Sequence, residues 1–146
     1  MRRSSGLCAR IAMGALLGSD VAAGSELNPW QVTRSAINGQ RARSFYEPAV
    51  PPLRAAEAFY LATAGGARAL GKTDVMGTLT VGQEADLLVV DLETLLPYGA
   101  DGGALAQMSA EDVLELCIYR GGPEATRETY VRGRCVYRKP EAASRV

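Results

Sequence analysis

The hydrophobic period of this chain changes once, near Gly71, and that change limits the folds open to it. Before Gly71, apolar residues recur every three to four positions, which is helical spacing. After it, short alternating or continuous apolar runs lie between Gly and Pro, which is strand spacing. At 146 residues the chain is about one average domain long. An α/β fold with helices first and strands later is therefore expected.

In the first half, residues 11–17 form an uncharged apolar run that ends in Gly18-Ser19-Asp20. This predicts a short buried strand emptying into a loop, with Asp20 at its C-terminal end facing a cleft or an open face. Asn28 followed by Pro29 is a helix start: an N-cap, then proline in the first turn. Val32, Ala36 and Ile37 carry that helix to about Arg43, and Pro48, Pro51 and Pro52 break it. A second helix with a small-residue face is expected over residues 53–64. Gly65-Gly66 should stop it, and a further turn should end at Gly71.

In the second half, residues 76–82 alternate as a short strand, and residues 85–92 read as a strand buried on both faces. Residues 95–107 are an irregular connection. Ser109 caps the next helix and sits three residues before Asp112, close to a capping box. Val113, Leu116, Cys117 and Arg120 share one stripe of it, with Leu114 and Ile118 flanking. Residues 129–131 and 135–137 flank Arg132-Gly133-Arg134 as a hairpin. The tail beyond Lys139 is polar and expected to fray. The strand at 11–17 has no partner nearby, so the chain reads as the end of something larger.

Composition narrows the chemistry. The chain contains no histidine, which excludes a self-sufficient Ser-His-Asp triad, a Cys-His dyad or a His-ligated zinc. Lys+Arg and Asp+Glu are 16 each, so no basic excess points to nucleic acid. Cys8, Cys117 and Cys135 form neither a CxxC pair nor a disulfide framework, and reduced cytoplasmic thiols are expected. Arg2-Arg3 looks like a secretory or twin-arginine start, but Arg10 interrupts the apolar stretch. The uncharged run is also far below the roughly 20 residues that span a bilayer, so no membrane partner is expected.

One pattern carries a family resemblance: Gly77-x-Leu79-x-x-Gly82-x-x-Ala85-Asp86-Leu87-x-Val89-x-Asp91. It is preceded by Thr63-x-Gly65-Gly66-Ala67-x-Ala69-Leu70-Gly71 and followed by Thr129-Tyr-Val-x-Gly133-x-x-Val136. This resembles the C-terminal portion of the amidohydrolase superfamily, and within it the guanine deaminase branch. The resemblance covers about residues 11–137. It implies a C-terminal part of a metal-dependent (β/α)8 barrel, residues 1–71, holding the last barrel strand and its helices. Part of a small flanking β-sandwich with a crossing helix would follow over residues 72–139, and a flexible tail over 140–146.

The resemblance also assigns Asp20. "MGALLGSDVAAG" looks like the family's last barrel strand, whose terminal Asp is a metal ligand and takes part in proton transfer. Asp20 is then both the catalytic and the metal-binding candidate, with Zn²⁺ as cofactor. Ser19 stands where the family usually has Thr, and Ala23 where it usually has Gly. The family's His ligands, acid-base Glu and substrate-contacting side chains would lie upstream of Met1, so substrate-binding residues cannot be named. A purine substrate, a homodimer and a cytoplasmic location are what the resemblance implies for the full-length enzyme. This chain alone is expected to be inactive.

Other residues invite sharper readings. Asp86 and Asp91 bracket the 85–92 strand and read as strand-end groups rather than a catalytic pair. Glu111, Asp112 and Glu115 read as a solvated helix face with first-turn charges. Trp30 reads as a packing residue before a purine platform. Arg120, Arg127, Arg132, Arg134 and Arg138, interleaved with Tyr119, Tyr130 and Tyr137, read as hairpin surface charge before a nucleic-acid patch. Gly65-Gly66 lacks the Lys-Ser/Thr of a phosphate loop. The functional alternatives are a segment of a zinc-dependent guanine deaminase, a fragment of another amidohydrolase deaminase or chlorohydrolase, and a non-catalytic truncated product.

Overall fold

A computed structural model describes residues 16–20, 24, 26–100 and 102–140. Helix α1 (Pro29–Tyr46) starts as its sequence dictates: the Asn28 side chain accepts a hydrogen bond from the Trp30 amide at 3.0 Å, with Pro29 behind it. It runs three residues past the expected end and stops where Pro48 follows. Helix α2 (Ala55–Ala62) and helix α3 (Ala64–Ala69) come next. The expected stop at Gly65-Gly66 is not where the break falls. The backbone breaks at Thr63 (φ −127°, ψ −100°), and both glycines lie inside α3. Gly65 is buried against Tyr60, where a Cβ would sit 2.9 Å from the Tyr60 carbonyl oxygen. Close packing, not helix termination, requires glycine there. Gly71, at φ +64°, ends α3 as expected.

Residues 76–82 are not a strand. Gly77 and Gly82 both adopt positive φ, and Gln83 takes over the local backbone groups. Its side chain donates to the Thr73 carbonyl at 2.6 Å and accepts from the Thr78 amide at 3.2 Å. Turns result, because no neighbouring strand among the described residues offers a ladder. The strand that follows is shorter and more open than expected. β1 (Leu87–Val90) is half-buried and Leu88 is 43% exposed, because β1 is an edge strand.

Helix α4 (Gly102–Gln107) leads to α5 (Ala110–Arg120), which opens with the expected box. The Ser109 hydroxyl accepts from the Asp112 amide at 3.2 Å, and the Asp112 carboxylate accepts from the Ser109 amide at 2.9 Å. Strands β2 (Thr126–Val131) and β3 (Arg134–Arg138) form the expected hairpin. Arg132 (φ +51°) and Gly133 (φ +75°) supply the two positive φ values of a tight turn. The antiparallel order is β1-β2-β3: three described strands where four were expected in the second half.

The core has two parts, joined by α5. Ile37, Leu53, Ala55, Ala58, Leu61 and Ile118 form one; Leu95, Cys117 and Ala125 form the other. Ile118, expected at the flank of α5, is fully buried and central. Trp30 packs against both clusters and stacks on Phe59, with ring centroids 6.1 Å apart and planes within 6°. Burying these two apolar faces of α5 is what ties the helical half to the sheet.

Candidate functional site

Asp20 ends the segment that leads toward α1. Residues 16–20 form no strand, and residues 11–15 of the expected strand lie outside the described residues. The segment is tethered instead by one backbone bond, from the Leu17 amide to the Leu61 carbonyl of α2 at 3.1 Å. Asp20 is exposed and holds a left-handed backbone at φ +46°. Aspartate tolerates that conformation better than most residues. Its carbonyl accepts from the Gly24 amide, which closes a turn. A Cβ on Gly24 would collide with the Ser19 carbonyl, so glycine is required for this turn.

Beside the turn lies a shallow cleft lined by Gly18, Ser19, Gly24, Glu26, Val32 and Ser35. Glu26 is half-buried there and adds a second carboxylate to the region. Sequence reading missed Glu26, since a lone Glu in a loop carries no motif. Among the described residues no three His, Cys, Asp or Glu side chains gather to hold a metal ion. With no histidine in the sequence, this donor set does not fit a catalytic zinc ion by itself.

The other singled-out residues have structural partners. The Asp86 carboxylate accepts from the Arg132 amide at 2.8 Å and pins the hairpin tip to the start of β1. The Asp91 amide donates to the Ala125 carbonyl at 2.8 Å. Trp30 is occupied by Phe59 and both cores, so its face is not free for a purine. Glu111 and Glu115 are exposed and line a second shallow concavity with Arg41, Arg54 and Tyr119. Arg132 pairs with Glu84 at 3.2 Å and Arg138 with Glu128 at 3.0 Å.

A polar cluster on the sheet went unread in the sequence. Glu128 and Tyr130, two residues apart on β2, share one face. The Tyr130 hydroxyl donates to the Glu128 carboxylate, whose other oxygen receives Arg138. The Tyr130 hydrogen bond, with help from Arg138 and Arg127, holds Glu128 below the usual carboxylate range despite desolvation. The same hydrogen bond pushes the Tyr130 phenol up. All three groups satisfy one another, so the cluster fastens β2 to β3.

Comparison with known proteins places this chain in a family. The chain is 33% identical to guanine deaminase of Escherichia coli over 125 residues, 84% of this chain and 26% of that protein. The solved E. coli guanine deaminase superposes with a TM-score of 0.68, covering 84% of this chain and 27% of that one. A guanine deaminase from C. acetobutylicum, solved with guanine bound in its active site, is 29% identical with a TM-score of 0.66; 84% of this chain and 27% of that one are covered. A zinc-bound adenosine deaminase from Xanthomonas campestris is 27% identical with a TM-score of 0.63, covering 87% of this chain and 26% of that one. The chain thus spans about a quarter of the length of the relatives it matches. The sequence profile of the amidohydrolase family (Amidohydro_3) matches residues 11–137, nearly the whole chain, and the chain belongs to that family.

Proposed function

We propose that this chain is the C-terminal segment of a guanine deaminase-like amidohydrolase. The full-length enzyme would hydrolyse guanine: water supplies oxygen to the ring carbon that bears the amino group, giving xanthine and releasing ammonia. The observation that carries this reading is the 125-residue match to a guanine deaminase, with the solved structure superposing over the same share of the chain. In this reading residues 1–71 contribute the end of a (β/α)8 barrel and residues 72–139 part of the flanking β-sandwich. α5 joins the two through Ile118 and Cys117.

Asp20 is the residue of this chain assigned to the reaction, as a carboxylate supplied to a composite site. Its exposure leaves the side chain open to groups contributed by the rest of the polypeptide. Zinc belongs to that composite site and not to this chain alone, because the donor set here is too small. A homodimer and a cytoplasmic location belong to the same reading. No helix among the described residues is long and apolar enough to cross a membrane. The adenosine deaminase match supports a second reading, in which the parent enzyme deaminates another purine-type substrate.

The test is a hybrid enzyme. Residues 11–137 replace the matching segment of E. coli guanine deaminase, and xanthine formation is followed. Activity in the hybrid, and its loss in Asp20→Asn with the fold retained, is the expected result. Turnover of adenosine but not guanine selects the second reading. A folded hybrid that deaminates neither points to a non-catalytic product. Full activity in Asp20→Asn removes Asp20 from the site.

A further inference from the structure

We propose that Asn28 is a positioning residue for Asp20, tying the segment that carries this carboxylate to the end of α5. The task of Asp20 rests on the deaminase reading; how it is held follows from contacts within this chain. The segment from Leu17 to Asn28 is fixed at both ends. At one end the Leu17 amide donates to the Leu61 carbonyl of α2 at 3.1 Å. At the other, Asn28 binds two helices at once. Its side-chain oxygen accepts from the Trp30 amide of α1 at 3.0 Å. Its side-chain nitrogen donates to the Gly121 carbonyl at 3.0 Å, 93 residues away. Between these anchors the Gly24 amide donates to the Asp20 carbonyl. Gly18, Ser19, Gly24 and Glu26 line one cleft with Val32 and Ser35, in the first two turns of α1. The start of α1 is therefore one wall of the cleft beside Asp20.

Two separate needs select asparagine here. A helix cap requires only an acceptor, so Ser, Thr, Asp and Asn all serve. The carbonyl of Gly121, a buried residue, requires a donor, because a buried carbonyl left unpaired is costly. Among those cap residues only asparagine carries an acceptor and a donor on different atoms. Trp30 also packs against Gly121, but apolar contact has no preferred direction. The hydrogen bond is directional, so it sets where the start of α1 stands along that contact. Serine would keep the cap and lose the reach, since its hydroxyl ends one bond short of the amide nitrogen. Precise placement matters at Asp20 because a shift of about 1 Å in a reacting group can slow turnover about a hundredfold.

The experiment compares Asn28→Ser with Asn28→Ala in the hybrid enzyme, where residues 11–137 bring Asn28 and Gly121 in together. Serine keeps the cap and should melt above alanine. Both variants lose the donor, so both should lose kcat alike, about tenfold or more, with KM for guanine unchanged. A kcat that instead ranks with melting temperature assigns Asn28 a structural role alone and overturns the proposal. Wild-type kcat in Asn28→Ser, with Asp20→Asn inactive, overturns it too and leaves the deaminase reading standing. Full activity in Asp20→Asn removes that reading's assignment of Asp20, and this proposal with it. If the hybrid does not turn over, amide hydrogen exchange on the 146-residue chain decides. The Gly24 amide should exchange faster in Asn28→Ser than in wild type, while amides within α2 keep their rates. An unchanged Gly24 rate overturns the proposal. If Asn28→Ser fails to fold, the wild type decides: the Gly24 and Gly121 amides should lose protection together as urea rises. Loss at separate urea concentrations overturns it.

Discussion

Gly121 lies against the indole of Trp30 so closely that a Cβ there would sit 2.7 Å from Cδ1 and 2.8 Å from Cγ. Its backbone, at φ −63° and ψ 131°, is open to any residue, so the requirement is space alone. The Asn28 side-chain amide adds a hydrogen bond to the Gly121 carbonyl at 3.0 Å. The start of α1 and the end of α5 are thus joined at one glycine, where Trp30 touches both cores. Gly121→Ala should destabilise the fold by about 1–3 kcal/mol, the usual cost of overpacking a tight site. A Cβ would also collide with the Cys117 carbonyl oxygen. Combined with Trp30→Leu, the cost should be less than additive, because the smaller side chain relieves the collision with the indole, while the backbone collision with Cys117 remains. Urea unfolding of the four proteins measures this. A strictly additive cycle would show that the two residues do not press on each other.

The Ser109–Asp112 box gives α5 a pH-dependent start. Hydrogen bonds from the Ser109 hydroxyl, and next from its backbone amide, hold the Asp112 carboxyl below the ordinary aspartate range. A carboxylate depressed on folding adds stability above its unfolded pKa. That contribution fades as pH falls through the ordinary aspartate range toward the lowered folded value. Wild type should therefore be more stable than Asp112→Asn at neutral pH, and the gap should narrow on acidification. Ser109→Ala removes the cap itself and should cost about 1 kcal/mol. Thermal unfolding of the three proteins between neutral and strongly acid pH checks both statements; a gap that widens in acid contradicts the first.

The two thiols of the described residues should separate by reactivity. Cys117 is 6% exposed between the cores, and burial pushes its pKa up, which lowers its thiolate fraction. Cys135 is half-buried on β3, with its thiol donating to the Tyr137 carbonyl at 3.2 Å. Iodoacetamide should label Cys135 well before Cys117 in the native chain, and both in urea. Peptide mapping after timed quenching reads the order. Equal native rates would mean that α5 opens faster than the reagent reacts.

The features legible in the sequence are those decided within a few residues. Asn28-Pro29, Ser109 with Asp112, Arg132-Gly133 and Gly71 each satisfy a local backbone need, and each stands where it was read. What escaped the sequence depends on distant partners. Residues 76–82 alternate like a strand, but an alternating run becomes a strand only beside another, and Gln83 claims those groups first. Gly65 reads as a helix stop until Tyr60 folds over it. Ile118 reads as a flank until α1 and α2 both pack onto α5. The site was legible only as one carboxylate, Asp20. Glu26 joins its neighbourhood because Gly18, Ser19, Gly24 and Glu26 line one cleft with Val32 and Ser35 of α1.

That single carboxylate has a consequence for metal binding. A ligand that binds only the folded state raises stability by RT ln(1 + [L]/Kd), about 2.7 kcal/mol at a hundredfold excess over Kd. Catalytic zinc sites hold their ion with about three protein ligands, histidine foremost. Here histidine is absent, and the described residues gather no third donor near Asp20 and Glu26. One or two carboxylates, an exposed Asp20 and a half-buried Glu26, are hard ligands that compete poorly with water for zinc. The melting temperature of the isolated chain should therefore stay the same, within error, from no added Zn²⁺ to a large molar excess, and Asp20→Ala should melt alike in both. The same titration on the active hybrid should raise its melting temperature, and Asp20→Ala should shrink that rise. A saturable rise in the isolated chain, lost in Asp20→Ala, would show that this segment completes a zinc site by itself and that the composite-site reading is wrong.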